Sequence, residues 1–133
     1  MKNEYRIALK ETTCMHTGPK DLKQRTKSFA IRIIRMYARL PKTTVAQVLG
    51  KQVLRSGTSV GANYCEANRA RSKAEFISKT GDCLKELDET TYWLELLVEA
   101  DIASHDNMTA LIDETRQITA IFVSIINKAK QNP

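Results

Sequence analysis

Apolar side chains recur at every third or fourth position along most of the chain, a spacing that places them on one face of an α-helix. Four segments follow this rule, and none alternates apolar and polar residues as a half-buried β-strand does. The pattern predicts helices over about 20–40, 44–70 and 72–101, and a fourth from Ser104 to about Ala129. The predicted apolar faces are Leu22, Thr26, Phe29, Ile33, Tyr37 and Leu40; Val45, Val48, Leu49, Val53, Val60 and Ala67; Phe76, Thr80, Cys83, Leu87, Thr90, Leu94 and Leu97; and Met108, Leu111, Thr115, Ile118, Phe122, Ile125 and Ala129.

Three of the predicted helices begin with residues that cap a helix. Thr44 with Gln47, and Ser72 with Glu75, have the spacing of a capping box, in which each side chain satisfies an amide at the helix start. Ser104 is the predicted N-cap of the fourth helix.

Short connections between these helices predict an all-α fold, an antiparallel up-down-up-down four-helix bundle, because short loops force consecutive helices to run in opposite directions. A chain of 133 residues is long enough for one domain with its own core. We assign residues 19–133 to the bundle, since Pro19 suits a first helical position. Residues 1–18 show weak periodicity and are predicted to be a partly ordered N-terminal arm.

Composition argues against several classes of protein. No run approaches the roughly 18 apolar residues of a membrane span, and the N-terminus carries charges where a signal peptide needs an apolar core. The three cysteines, Cys14, Cys65 and Cys83, form no C-x-x-C motif and fit a reducing compartment. These features predict a cytoplasmic protein with no membrane partner.

The stretch RSGTSVG, residues 55–61, places glycine inside the second predicted helix, where each glycine costs about 1 kcal/mol relative to alanine. Gly57 and Gly61 are four positions apart and therefore share one helix face. Small residues on one face allow a neighbouring backbone to approach closely, or permit a bend. A phosphate-binding loop would need a glycine-rich turn before a helix and a Gly-Lys-Ser/Thr sequence, and neither is present. We therefore predict a crowded helix crossing.

Polar residues form a second stripe on the two central helices, which we call the polar seam. In an antiparallel pair that turns near Arg71, the register places Arg55 beside Glu86 or Glu89. We interpret the seam as a structural network of hydrogen bonds and ion pairs that fixes the helix register. Its assigned members are Arg55, Ser56, Ser59, Asn63, Glu66, Glu86 and Glu89.

A carboxylate metal site is the functional alternative for the polar seam. Di-iron bundles use Glu-x-x-His motifs, and the chain has none. Its two histidines, His16 and His105, fall in the arm and in a predicted loop. Cys65 and Cys83 lie on largely apolar faces with no histidine within helical reach, and we interpret both as core thiols. The sequence therefore predicts no metal, no cofactor and no catalytic residue.

Charge is distributed unevenly along the chain. Residues 1–73 contain 16 Lys/Arg and 4 Asp/Glu, whereas residues 74–133 contain 5 and 11. Either basic and acidic helices pack against each other within and between subunits, or a basic surface binds nucleic-acid phosphates. The residues assigned to such a surface are Arg25, Arg32, Arg35, Arg39, Lys42, Arg69, Arg71 and Lys73.

Two motifs carry a resemblance to a known family. They are Arg-Ser-x-x-Ser-Val-x-x-Asn-x-x-Glu-Ala at residues 55–67 and Lys-Glu-x-x-Glu-Thr-x-Tyr-Trp-Leu at residues 85–94. The chain closely resembles, over about residues 20–127, the four-helix-bundle proteins encoded in intervening sequences of bacterial 23S rRNA genes. The resemblance implies a homopentameric ring and no assigned biological role. A distantly similar protein, the accessory protein of diversity-generating retroelements, forms such a ring and binds nucleic acid and reverse transcriptase.

The third predicted helix is apolar on more than one face around Trp93 and Leu96. A bundle buries only one face of each helix, so the additional apolar surface predicts a subunit interface at these two residues.

These observations predict a non-enzymatic homo-oligomer that binds the backbone of RNA or DNA without reading bases. The alternative is an oligomeric scaffold that binds another protein and has no nucleic-acid role.

Overall fold

A computed structural model describes residues 19–132 of the chain, and within that range it contains α-helices and no β-strand. The predicted N-terminal arm, residues 1–18, lies outside the described residues. The helices are α1 (Pro19–Arg39), α2 (Thr44–Ala67), α3 (Lys73–Glu99) and α4 (His105–Gln131).

The four helices form an antiparallel up-down-up-down bundle, as the periodicity predicts. α2 packs against both α1 and α3, α3 packs against α4, and a narrower contact between α1 and α4 closes the bundle. The α1–α2 and α3–α4 connections therefore meet at one end, and the α2–α3 connection lies at the other. The core runs the length of the bundle and includes Leu22, Phe29, Ile33, Val53, Val60, Tyr64, Phe76, Leu87, Leu94, Ile118 and Phe122.

The first turns of α2 differ from the prediction in their orientation. Val45 and Val48 were expected on the core face, but both are exposed, and Ala46 and Gly50 face inward instead. Ala46 has only a methyl group and Gly50 has no side chain, so neither gives a strong hydrophobic signal and the apolar valines dominate the sequence pattern.

The cap of α2 also differs from the prediction. Thr43, not Thr44, is the N-cap, and its side chain accepts a hydrogen bond from an amide of the first turn. Gln47 does not complete a capping box, because its Oε1 accepts from the Tyr37 hydroxyl at 2.8 Å and its Nε2 donates to the Pro41 carbonyl at 2.9 Å. Gln47 therefore ties the start of α2 to the end of α1.

The other two predicted N-caps, Ser72 and Ser104, are confirmed, but Glu75 does not complete the predicted capping box because it bonds the amide of Arg71 and not that of Ser72. Ser72 accepts from the amide of Glu75 at 3.0 Å, and the Glu75 carboxylate accepts from the amide of Arg71 at 3.0 Å. Ser104 accepts from the amide of Asn107 at 3.4 Å. The Ser72 and Ser104 side chains each satisfy an amide that a helix start leaves without an internal partner.

Buried hydroxyl groups in the core find partners inside the bundle. Thr80, Thr90 and Thr115 each donate to the carbonyl four residues earlier, at 2.8, 2.7 and 2.8 Å. The Thr90 Oγ1 also lies 2.7 Å from the Ser56 Oγ, which joins α2 to α3 by a buried hydrogen bond. Because these groups are satisfied, their burial avoids the cost of an unpaired polar atom.

Glycines of α2 allow α1 to pack against its backbone. A Cβ at Gly57 would lie 2.8 Å from the Ile33 Cγ1, and a Cβ at Gly50 would lie 2.6 Å from the Leu40 Cδ1. At Gly61 the nearest atom would be 3.2 Å away. The predicted crowded crossing is therefore the α1–α2 contact, and α2 continues through it as one helix.

We expect Gly57→Ala to destabilise the bundle although alanine is the better helix former. Its methyl group would overlap the buried Ile33, and overpacking costs about 1–3 kcal/mol against about 1 kcal/mol gained in helix propensity. Gly81→Ala is the matched control, because nothing lies within 4 Å of its added Cβ. It should raise the free energy of unfolding by up to about 1 kcal/mol. Urea unfolding measures both, and equal stabilisation by the two substitutions would contradict the packing argument.

Candidate nucleic-acid interface

Seven of the eight basic residues predicted to bind nucleic acid form two groups at opposite ends of the bundle, and Arg25 belongs to neither. The 24 residues of α2 separate them by about 36 Å at 1.5 Å per residue. The first, which we call the α1-end group, consists of Arg32, Arg35, Arg39 and Lys42. The second, the α2–α3 turn group, consists of Arg69, Arg71 and Lys73.

The α1-end group is solvent-exposed and free of internal partners. Within the described part of the chain, none of its four side chains takes part in a hydrogen bond or an ion pair. Arg32, Arg35 and Arg39 line a pocket of about 450 Å³ between the end of α1, the α3–α4 connection and the start of α4. Its remaining walls are apolar or neutral, and no carboxylate lines it. Among residues 19–132, no acidic side chain therefore compensates the positive charge in this pocket.

Arg25 is held differently from the other basic residues of α1. It is half-buried between α1 and α4, where its Nη2 and Nε donate to the two oxygens of Glu114 at 2.7 and 2.9 Å. Its Nη2 also donates to the Gln117 Oε1 at 2.9 Å. The hydrogen bond to Glu114 raises the pKa of the Arg25 guanidinium above its ordinary value. Arg25 thus closes the α1–α4 contact, and its charge is already paired.

The α2–α3 turn group lies among carboxylates. Arg69 and Arg71 are exposed and border a shallow pocket of about 390 Å³ together with Glu66, Glu75 and Lys79. Lys79 Nζ lies 3.5 Å from the Glu66 carboxylate. Because acidic and basic side chains alternate here, this end presents a weaker anion-binding surface than the α1-end group.

The polar seam contains the predicted ion pair, but at the surface. Arg55 lies 3.2 Å from Glu86 and 3.5 Å from Glu89, as the antiparallel register predicts. The Arg55 side chain is 50% exposed and that of Glu86 15%, so solvent screens the pair. The buried member of the seam is Ser56, bonded to Thr90.

The remaining predicted seam residues make local or surface contacts. The Ser59 hydroxyl donates to the Arg55 carbonyl of its own helix at 2.6 Å, Glu66 pairs with Lys79, and Asn63 is half-buried. The seam therefore combines one buried hydrogen bond with solvent-exposed ion pairs.

The predicted subunit-interface residues, Trp93 and Leu96, are both half-buried on α3. The Trp93 ring contacts that of the exposed Tyr92 edge-on, with centroids 5.1 Å apart. The Trp93 Nε1 is buried and has no hydrogen-bond partner in the described structure.

Of the two cysteines predicted to be core thiols, Cys83 is a structural core residue, whereas Cys65 is only half-buried. Cys83 is buried, and its Sγ donates to the Val60 carbonyl at 3.6 Å. Burial raises the pKa of the Cys83 thiol far above its ordinary range, which suppresses the nucleophilic thiolate. Among residues 19–132, no group of His, Cys, Asp or Glu is arranged to hold a metal ion. Nor does this range contain a helix long and apolar enough to cross a membrane.

Sequence reasoning missed the pocket at the end of α1. Arg32, Arg35 and Arg39 follow the spacing i, i+3, i+7, which places them on one helix face. This spacing is the sequence signal that indicates the arginine wall of the pocket. The opposite wall comes from the α3–α4 connection more than 60 residues later, and a helical period carries no information about that contact.

The fold and its basic end define a class of protein, the small antiparallel four-helix bundles. A family model described as 23S rRNA-intervening sequence protein matches residues 20–124, and the chain belongs to this family. It is similar to a crystal structure of a protein with unknown function from the S23 ribosomal protein family of Bacteroides thetaiotaomicron VPI-5482. The two share 38% identity and a TM-score of 0.77, over 82% of this chain and 97% of that one. Among curated proteins, none matches the chain.

We expect Glu114→Ala to lower the free energy of unfolding by about 1–3 kcal/mol, because it leaves the half-buried Arg25 without its charged acceptor. Glu89→Ala is the matched control, since it removes one weak partner of the exposed Arg55 and should cost under about 1 kcal/mol. Thermal or urea unfolding compares the two. Equal losses would contradict a closing role for the Arg25–Glu114 pair.

Proposed function

We propose that this protein is a non-enzymatic homo-oligomer, a pentamer, that binds single-stranded RNA through its phosphate backbone as an accessory protein. The observation that carries the proposal is the α1-end group, four basic side chains with no partner among the described residues. Phosphate neutralisation by such side chains provides affinity without base-specific recognition.

Self-association is supported by apolar side chains that a single chain leaves exposed. Val45 and Val48 on α2 are 59% and 56% exposed, and Tyr92 on α3 is 55% exposed. Antiparallel packing brings the start of α2 and the C-terminal half of α3 to the same end of the bundle. A neighbouring subunit on this surface would cover the apolar side chains that one chain leaves exposed.

A second apolar surface supports a ring rather than a two-fold dimer. Ile31 and Ile34 are exposed on α1, a helix that contacts α2 and α4 but not α3 in the described structure. A closed ring joins two different surfaces of each subunit, whereas a two-fold dimer uses one surface twice.

The scaffold alternative is favoured by one specific observation. Glu95, Glu99, Asp106 and Asp113 border a pocket of about 560 Å³ between α3 and α4. Arg116 also lines it and lies 3.0 Å from the Glu95 carboxylate, which leaves three carboxylates in excess. Carboxylates at this density suit a basic segment of another protein. Under this alternative, the charge asymmetry of the chain serves protein contacts alone.

The nucleic-acid proposal predicts salt-dependent binding that is insensitive to sequence. Fluorescence anisotropy with single-stranded RNAs of different sequence should give similar affinities. The logarithm of the binding constant should fall with that of salt concentration by about 0.7 for each phosphate neutralised. Absence of binding at low salt would turn the conclusion to the scaffold alternative.

Two triple reversals locate the binding surface. Arg32, Arg35 and Arg39 changed together to Glu should abolish binding, while Arg69, Arg71 and Lys73 changed to Glu should weaken it less. Each variant lowers the formal net charge from +6 to 0, so the two differ only in position. Arg25 is left intact because it closes the bundle. Equal loss from both variants would contradict an interface at the α1 end.

The proposed pentamer predicts a mass about five times the 15.0 kDa of one chain by light scattering. Val48→Glu should reduce that mass without unfolding the helices, because the side chain is exposed in one subunit but would place a charge in the interface. Asn127→Glu, an exposed position on α4, is the control and should leave the mass unchanged. A wild-type mass of one chain at micromolar concentration would contradict the proposal.

A further inference from the structure

We propose that the pocket at the end of α1 is a nucleotide site, which binds the phosphate of one nucleoside monophosphate unit through its arginines and the base on its apolar floor. The inference rests on the proposed function, because a nucleic-acid strand is one source of such a unit and the free nucleotide is the other. The inference adds one defined binding pocket to the proposed contact with the phosphate backbone of RNA.

The arginine wall supplies the phosphate-binding half of the site. Arg32, Arg35 and Arg39 project from successive turns of α1 into one pocket, and its lining residues within 19–132 include no acidic side chain. Like charges at this helical spacing repel each other, so an anion between them would stabilise the arrangement. Guanidinium groups also match phosphate oxygens with two parallel hydrogen bonds each.

The pocket floor supplies a surface for the base. Met36, Ile102 and Ala103 are half-buried and line it together with the nearly fully buried Leu40, Met108 and Leu111. Methionine adapts well to flat aromatic groups. An inorganic anion would leave this apolar surface uncovered, and a hydrocarbon would leave the arginines uncompensated. A phosphate attached to a planar heterocycle satisfies both halves of the pocket.

The remaining wall is the start of α4 and the connection before it. Asp101 adopts a left-handed conformation, with φ of 59°, which ends α3 and turns the chain so that Ile102 and Ala103 border the pocket. Ser104 and Asn107 add polar groups from the first turn of α4, where the helix dipole is positive. These groups can meet the sugar or the edge of the base.

The size of the pocket limits what enters it. A volume of about 450 Å³ falls among small-molecule sites, which span roughly 300–1,000 Å³. A double helix cannot insert into it, whereas a terminal or unstacked nucleotide of a single strand can. The site therefore favours single strands over duplexes.

The test uses the full-length protein with its methionine methyl groups labelled with ¹³C. Met36→Leu and Met108→Leu variants assign the two resonances of the pocket floor, and AMP is the first probe. We expect AMP to shift both resonances in a saturable manner, and adenosine or inorganic phosphate to bind about tenfold or more weakly, since each offers half of the contacts. Arg35→Glu should weaken AMP binding by about tenfold or more. Lys27→Glu, at an exposed position of α1 outside the pocket, should not.

Competition distinguishes the two sources of the nucleotide. Single-stranded RNAs that differ only in a 5′-phosphate or a 5′-hydroxyl are added to the AMP complex. Stronger displacement by the phosphorylated strand supports capture of a strand end, and equal displacement supports capture of an unstacked internal nucleotide. Strand binding without displacement supports a site for the free nucleotide.

Two results would overturn the inference. One is the absence of any shift of the Met36 and Met108 resonances at millimolar AMP while RNA still binds, which leaves the proposed function standing. The other is dissociation of the oligomer by Arg35→Glu, which would show that the arginines contact a neighbouring subunit. Conversely, AMP binding by a protein that fails to bind RNA would support the nucleotide site and contradict the proposed function.

Discussion

The contact between α1 and the glycines of α2 sets the geometry on which the candidate interface depends. Because Gly50 and Gly57 present no side chain, Leu40 and Ile33 pack against the α2 backbone itself. This contact fixes the rotation of α1 about its own axis. With its apolar stripe held inward, Arg32, Arg35 and Arg39 face away from α2 and towards the start of α4. A bulkier residue in α2 would therefore disturb the basic end of the bundle as well as its core.

The other edge of α1 carries an ion pair to α4. Its contact with α4 is the narrowest between neighbouring helices, and the Arg25–Glu114 pair spans it. Basic residues of one helix thus serve two separate purposes. Arg25, near the start of α1, is paired and structural, whereas the arginines of its last two turns have no partner among the described residues. The distinction depends on whether a carboxylate of α4 lies opposite the arginine. Glu114 lies opposite Arg25, whereas α4 presents the neutral Asn107 and Met108 in the pocket that Arg32 lines.

Sequence periodicity was sufficient for the helices and their order, because burying one face of each helix is the dominant requirement of a bundle. It also placed Arg55 beside Glu86, since an antiparallel turn of known position fixes the register. It failed where the decisive side chains are small or distant. Thr43 and Thr44 are adjacent and chemically identical, so only the backbone conformation at the helix start selects the cap. The partner of Arg25 lies 89 residues away, and helical spacing within α1 cannot distinguish a paired arginine from a free one.

Cyclic symmetry connects the proposed ring to the proposed interface. Equivalent points in a closed ring lie in one plane around its axis, so each subunit would contribute its α1-end group to a single circle of positive charge. The α2–α3 turn groups, at the other end of each bundle, would form a separate circle. A flexible single strand can follow such a circle and place successive nucleotides in successive pockets, whereas duplex DNA is stiff over about 150 base pairs and would touch it along a short arc. Repeated contacts raise the effective concentration of each next site, so a pocket of modest intrinsic affinity is sufficient for strong and strand-selective binding.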